Sequence, residues 1–384
     1  MFRTSRPSDP QVNHGDPLRT HSLGDTGISG TAGRALPAGT IARRKRRRIE
    51  MTQDLTNYDH KVVLITGGLG FIGSNLAMRL AESSRAEIRI VDSLHPSCGG
   101  NPRNLAGIAR PVQVRILDLR EVSKLREVVS GVDIIFNLAG HVSHIDSMSY
   151  PMQDLGGNAE AHLGLLESCR IANPGARVVY SSTRQCYGRP QRLPVDEEHP
   201  VLPLDINGVH KYAAELYHRI YHQVHGLETC ALRLTNTFGP RQLIRNAGQG
   251  VVGWFIRQIL CDEEIVLFGD GRQVRDLTYV DCVVDALLLA GGHPRAPGRT
   301  YNLGSGAPIS LVELVELMIA VAGKGSYRFA PFPEERRKID IGDYYGSFSR
   351  IREELGWSPQ VSLRDGIRRT LEFFDRHRAT YLQP

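Results

Sequence analysis

The 384-residue chain has little that marks a secreted, zinc-bound or membrane-spanning protein. Its six cysteines, at 98, 169, 186, 230, 261 and 282, include no Cys-x-x-Cys pair. That scatter argues against a zinc ribbon and a disulfide framework, so no metal is expected and a reducing, cytoplasmic location is. No apolar run reaches the roughly 18 residues that a membrane span needs, so no membrane partner is expected. An excess of one charge is also lacking over most of the chain. Residues 1–50 hold ten Lys or Arg against four Asp or Glu, and the other 334 residues hold 37 of each sign. The net charge of +6 therefore belongs to the N-terminal segment, and the body offers no basic surface for nucleic acid.

Residues 1–57 show no apolar period and are rich in Gly, Ser, Thr, Pro and Arg. Such a segment cannot bury enough surface to offset the entropy of ordering, so it is expected to be a disordered basic tail. No apolar stretch with a small-residue cleavage site follows the run 43–48 (RRKRRR), so it is not a signal peptide. Met51 lies ten residues before the first strand and is the expected true start.

From residue 58 onward strand and helix patterns alternate. The short apolar run at 61–66 (KVVLIT) predicts a buried parallel strand, and 87–92, 112–117, 132–138, 177–182 and 229–234 read as further strands. Amphipathic stretches at 71–83, 158–172 and 207–224 predict the helices between them. The pattern implies an α/β fold, a doubly wound parallel Rossmann sheet, with the ligand crevice at the carboxyl ends of the strands.

The first strand runs into Gly67-Gly68-Leu69-Gly70-Phe71-Ile72-Gly73, which opens a helix. Gly67 permits the tight turn, Gly70 lets backbone approach a pyrophosphate, and Gly73 allows close packing of helix on sheet. Asp92 closes the second strand 19 residues after Gly73. A carboxylate there accepts hydrogen bonds from ribose hydroxyls and repels a 2′-phosphate, so the expected cofactor is NAD rather than NADP.

The Gly-x-x-Gly-x-x-Gly spacing resembles that of extended short-chain dehydrogenase/reductases, and the likeness runs over residues 60–375. Asp118-Leu119 resembles the pair that contacts adenine. Asn137-Leu138-Ala139-Gly140 resembles the motif after the fourth strand, and Asn158 the family's helix asparagine. Ser181-Ser182-Thr183 with Tyr187-Gly188 resembles the active-site strand. Gly269-Asp270-Gly271, Arg275-Asp276 and Tyr279-Val280-Asp281 resemble the nucleotide-sugar segment, and Leu355-Gly356-Trp357 the C-terminal helix pair. Together they resemble the NAD-dependent epimerase/dehydratase group. The resemblance implies NAD held by Gly67, Gly70, Phe71, Ile72, Gly73, Asp92, Asp118, Leu119, Leu138, Ala139, Gly140 and Lys211. It also implies a Rossmann domain over 58–235 with a return segment near 278–305, a smaller C-terminal substrate lobe from 236–277 and 306–384, and a homodimer built on a four-helix interface.

The implied partner is a nucleotide sugar, lying between sheet and lobe. Asn236 stands at a strand end, where its amide can reach a phosphate or hydroxyl. Arg275 and Arg337 resemble the family's diphosphate arginines, a role suited to forked guanidinium donors. Segment 243–252 is Gly-rich and is expected to cover the nucleotide. The residues do not separate UDP from dTDP, GDP or CDP.

One catalytic group is missing. The family's chemistry uses a tyrosine four residues before a lysine, with a Ser or Thr on the neighbouring strand. Thr183 and Lys211 are present, but the tyrosine position holds Asn207, and an amide cannot act as a base. Tyr212 and His210 each point about 100° away from Lys211 on a helix. His144 and Tyr187, with His141 behind them, are the candidates for a substitute base. The other readings are slower chemistry by Thr183 and Lys211 with a water, or a protein that binds NAD and a nucleotide sugar without catalysis. Dehydratases of this group carry Asp-Glu directly after the threonine. Arg184-Gln185 stand there instead, and neither is an acid or base near neutral pH. The resulting expectation is an epimerase-like isomerase that transiently oxidises a sugar hydroxyl. A dehydratase or reductase of the same fold is the alternative.

Overall fold

A seven-stranded sheet, parallel throughout, organises the chain. The computed structural model describes residues 55–382 except Ala247 and Gln249. Its strands are β1 (Val62–Thr66), β2 (Glu87–Asp92), β3 (Gln113–Ile116), β4 (Ile134–Asn137), β5 (Arg177–Thr183), β6 (Glu228–Leu234), β7 (Asn236–Phe238), β8 (Ile265–Phe268), β9 (Val274–Arg275), β10 (Leu277–Tyr279), β11 (Thr300–Asn302), β12 (Ile309–Ser310) and β13 (Tyr327–Ala330). The main sheet has the order β11-β6-β5-β4-β1-β2-β3. Chain order reverses between β1 and β4, which opens a crevice at their carboxyl ends.

The helices are α1 (Phe71–Ser83), α2 (Val122–Val129), α3 (His144–Ser149), α4 (Pro151–Leu155), α5 (Ala161–Ala172), α6 (Ile206–His225), α7 (Val251–Leu260), α8 (Val280–Gly292), α9 (Leu311–Ala322), α10 (Glu334–Lys338), α11 (Ser349–Leu355), α12 (Leu363–Arg376) and α13 (Arg378–Tyr381). Both faces of the sheet are covered from β11 to β2, which explains the unbroken apolar strands there, whereas the edge strand β3 is exposed along its length. Val63 and Ile65 join the core that includes α1 and α8, while Leu64 between them joins the one that includes α2 and α5. The helix expected at 158–172 starts instead with a π turn, Gly156–Glu160, followed by α5.

α6 carries the key side chains. The Asp205 carboxylate caps it by accepting a hydrogen bond from the Gly208 N–H at 2.7 Å, and Gly226 ends it in the left-handed conformation. Residues 207 and 211, one turn apart, share its buried face.

β11 returns to the main sheet beside β6, preceded by α8. Small sheets β8-β13 and β9-β12 lie outside it. Residues 1–54 of the expected tail lie outside the described residues. Leu55–Asn57, placed in that tail on composition, form part of the body: Leu55 is 2% exposed, and the turn Thr56–Tyr58 anchors through a Tyr58 hydroxyl bond to the Leu288 carbonyl. Among the described residues, no helix is long and apolar enough to cross a membrane.

Candidate active site

A cavity of ≈520 Å³ lies at the carboxyl ends of β1, β2, β4 and β5. Gly67, Gly70, Phe71, Ile72, Gly73, Asp92, Asp118, Leu119, Leu138, Ala139, Gly140 and Lys211 all line it. Gly67 has φ +65°, and a Cβ there would sit 2.9 Å from the Ala139 backbone. A Cβ on Gly73 would lie 2.4 Å from the Gly67 carbonyl oxygen. The bare backbone thus brings the N-terminus of α1, with its free amides, up to the cavity wall, a cradle that fits a pyrophosphate.

Asp92 is buried at the end of β2. Its carboxylate accepts hydrogen bonds from the Leu69 N–H at 3.1 Å and the Leu94 N–H at 2.9 Å. Burial raises its pKa, and these two amides oppose the rise. The carboxylate therefore also ties the glycine turn to the loop after β2, a role that the motif did not reveal. Asp118 is held by the fork of Arg120, whose hydrogen bonds lower its pKa.

Lys211 reaches the cavity beneath Gly140, where a Cβ would sit 3.1 Å from its Nζ. Burial lowers its pKa to about 8, while Asp154 works in the opposite direction. Thr183 ends β5 at the same cavity. Its Oγ1 accepts from the Gln185 N–H at 3.1 Å, which leaves its own proton to donate.

Asn207 is almost fully buried and its amide is occupied. Nδ2 donates to the His141 carbonyl and to Asp154 Oδ2, each at 3.0 Å. Asp154 also accepts from Asn158 Nδ2 at 2.9 Å and faces His210 Nδ1 at 2.8 Å. Asn158 and Asn207 thus share one carboxylate, which the sequence reading missed. His210 and Tyr212 do not line the cavity.

The candidate bases separate cleanly. Tyr187 is fully buried and outside the cavity lining, so its candidacy is corrected. Its hydroxyl donates to Asn302 Oδ1 at 2.7 Å and accepts from Arg233 Nη1 at 2.6 Å, and burial raises its pKa. His144, the first residue of α3, lines the cavity beside Thr183 and Gln185. Its Nδ1 lies 3.4 Å from Asp205 Oδ2. No hydrogen bond forms across that contact; a proton on Nδ1 would point to the carboxylate and leave a lone pair on Nε2. Burial opposes the charge on Asp205, but the nearby His144 ring and hydrogen bonds from Gly208 and Gln185 outweigh it and hold the pKa below the ordinary value.

His141 lies on the cofactor side, its Nδ1 3.5 Å from Cys98 Sγ, and with His95 the two bring candidate metal-ligating atoms within 4.8 Å of one another. Burial raises the Cys98 thiol pKa to about 11, so the thiolate that a metal prefers is scarce at neutral pH.

On the substrate side Asn236 and Arg275 line the cavity. Arg337 does not: it is exposed on α10, because that short helix turns the side chain to solvent. Leu243, Gly248 and Gly250 supply lining from the glycine-rich segment. Sequence reasoning treated Arg184 and Gln185 only as a missing acid–base pair, yet both line the cavity.

Comparison with known proteins agrees with this geometry. Residues 63–304 match the model of the NAD dependent epimerase/dehydratase family. A putative UDP-glucose 4-epimerase of Methanocaldococcus jannaschii is 31% identical over 83% of this chain and 100% of its own length. A UDP-glucose 4-epimerase of Mycolicibacterium smegmatis is 33% identical over 81% of this chain and 97% of its own. Among solved structures, a UDP-N-acetylglucosamine 4-epimerase from Methanobrevibacter ruminantium, in complex with UDP-N-acetylmuramic acid, superposes with a TM-score of 0.76. It is 27% identical and covers 83% of this chain and 99% of that one. The glycine cradle, the carboxylate at the end of β2 and these matches have one reading: the chain belongs to the NAD dependent epimerase/dehydratase family.

Proposed function

We propose that the chain is an NAD-dependent nucleotide-sugar epimerase in which the His144–Asp205 pair supplies the base that Asn207 cannot. The observation that carries the reading is His144 Nδ1 at 3.4 Å from Asp205 Oδ2, in the cavity that Thr183 and Lys211 also line. Bound NAD would supply a hydride acceptor that returns the hydride to the other face of the sugar. Thr183 donates its hydroxyl proton to the reacting sugar oxygen. His144 Nε2 receives the proton that the sugar hydroxyl releases, and Asp205 stabilises the imidazolium through Nδ1. Lys211 holds the ribose of the cofactor with its ammonium. Gly67, Gly70 and Gly73 seat the pyrophosphate, and Asp92 the adenosine ribose. Asn236 through its Nδ2 holds the nucleotide-sugar diphosphate, and Arg275, whose Nη atoms are bonded to Val274, Gly342 and Gln273, adds its charge from the cavity wall. Neither Arg184 nor Gln185 can serve as an acid–base pair for loss of water, so epimerisation is favoured over dehydration.

The test is incubation of the pure protein with UDP-, dTDP-, GDP- and CDP-hexoses, with chromatography for the epimer. Conversion of one sugar by the parent, and its loss in His144→Gln, supports the reading. Conversion that persists in His144→Gln removes His144 from the role. Absence of conversion across the panel by NAD-loaded protein leaves the non-catalytic binding reading.

The same reading includes a homodimer. Exposed apolar residues support it: Leu163 and Ile171 on α5 with Val209, Ile220 and Val224 on α6. Two such helices from each copy make a four-helix interface that would cover them.

A further inference from the structure

The loop after β2, residues 93–101, is fastened at both ends to the cofactor side of the cavity. The Leu94 N–H donates to Asp92 Oδ1 at 2.9 Å, and the Asn101 N–H donates to the Leu69 carbonyl of the glycine turn at 3.0 Å. Between these ends the loop crosses to the opposite wall and meets it twice. Cys98 Sγ lies 3.5 Å from His141 Nδ1, in the loop after β4, and His95 Nε2 lies 3.0 Å from Gln153 Nε2 on α4. Burial holds the Cys98 thiol protonated, with a pKa of about 11, and lowers the pKa of His141, so the S–H donates to the imidazole nitrogen. Gln153 Nε2 donates to His95 Nε2, and His95 Nδ1 then donates to Ser97 Oγ at 2.9 Å. The His95 and His141 rings meet edge-on, 5.0 Å between centres. His141 rests on bare backbone, because a Cβ on Gly157 would lie 2.2 Å from its Cδ2.

Ser93, His95, Cys98, Gly99 and Gly100 line the cavity from this loop, and His141 and Gln153 line it from the other side. Cys98 feels the charges of both Asp92 and Lys211, the two residues assigned above to the riboses of the cofactor. The crossing therefore lies between the two ends of the dinucleotide site. We propose that residues 93–101 are a strap latched across the NAD cavity by Cys98–His141 and His95–Gln153, and that both latches open for NAD to enter or leave. Its purpose rests on the epimerase reading. An epimerase returns its hydride to the same sugar, so the cofactor is restored in every turnover and need not leave, whereas a reductase exchanges cofactor each time. Each latch is one hydrogen bond, so it can open locally without unfolding the domain.

The experiment follows NAD in the full chain. Release of labelled NAD into excess unlabelled NAD, and uptake of labelled NAD by the apoprotein, give the two rates. Cys98→Ala and Gln153→Ala should each speed both rates by about 3- to 10-fold, the worth of one hydrogen bond, and the double variant by about 10- to 100-fold. The dissociation constant should move less than either rate, because a latch hinders entry as well as exit. Faster release with unchanged uptake would make these residues ordinary NAD contacts and overturn the strap, as would parental rates in all three variants. His141→Cys sets a second thiol opposite Cys98. Oxidised glutathione should join the two, trapping NAD in loaded protein and excluding it from apoprotein until dithiothreitol is added. Free exchange of NAD past a disulfide confirmed by mass spectrometry would also overturn the proposal. Melting temperature reports on folding, and if one variant does not fold, the variant at the other latch still decides. Retained NAD in a protein that converts no sugar nucleotide keeps the strap and removes the epimerase reading. Conversion with freely exchanging NAD does the reverse.

Discussion

Asn207 Nδ2 donates to Asp154 Oδ2 at 3.0 Å, so this side chain, four residues before Lys211, holds a buried carboxylate. Asn207→Ala removes a donor from that carboxylate and from the His141 carbonyl. The expected loss of stability is about 1–3 kcal/mol, by urea denaturation. Asn207→Tyr asks a larger side chain to fit where the amide is enclosed, and it should lower both stability and turnover. A rise in turnover would instead show that no substitute base operates.

The His144–Asp205 pair sets a second expectation. His144→Gln should lower epimerase turnover by about 10²–10⁴-fold, the usual worth of general-base catalysis. Asp205→Asn removes the charge that supports the imidazolium and should also slow turnover. Because Asp205 caps α6 as well, its effect must be read against melting temperature. Turnover within a factor of about two of the parent in His144→Gln would exclude His144 as a base of that worth.

Tyr187→Phe separates structure from chemistry. Its hydroxyl bridges Arg233 and Asn302 away from the cavity, so the loss should appear as roughly 1–3 kcal/mol of stability. Turnover of the folded variant should match the parent. A collapse of turnover at unchanged stability would return Tyr187 to the list of bases.

Lys211 makes stability depend on pH. Burial lowers its pKa to about 8 in the folded protein, from the ordinary lysine value of about 10.5. Below about pH 8 both states hold the proton, and the cost of burying the charge stands in full. Between the two values the unfolded chain binds more protons, so stability rises with pH. Cofactor-free Lys211→Met should therefore exceed the parent at pH 7 by up to about 3 kcal/mol, and the gap should close toward pH 10. Denaturant midpoints at pH 7, 8.5 and 9.5 check this, and a constant gap would contradict the lowered pKa.

Asp92→Ala should weaken NAD binding by roughly 1–3 kcal/mol. It should also destabilise the apoprotein, since the Leu69 and Leu94 amides lose their acceptor. Tighter binding of NADP than NAD by the unmutated protein would remove the argument from its charge.

The sequence determined the cofactor half of the site, because that half is local. The glycine turn, the strand before it and the carboxylate at the end of β2 sit at set spacings along the chain, and each spacing has one backbone consequence. Strand and helix alternation likewise determined the parallel sheet, since strands buried on both faces read as unbroken apolar runs. The absence of a tyrosine at 207 was equally plain. Only the tertiary structure brings together the pair proposed to stand in for it. His144 and Asp205 are 61 residues apart, and no pattern links them until α3 packs against the start of α6. Tyr187 looked as eligible as His144 along the chain, and only the packing of β5 on β6 and β11 encloses it with Arg233 and Asn302. Arg184 shows the same division. Its identity was legible as a missing acid, but a guanidinium one hydrogen bond short exists only where the surrounding fold excludes water and leaves that atom no partner.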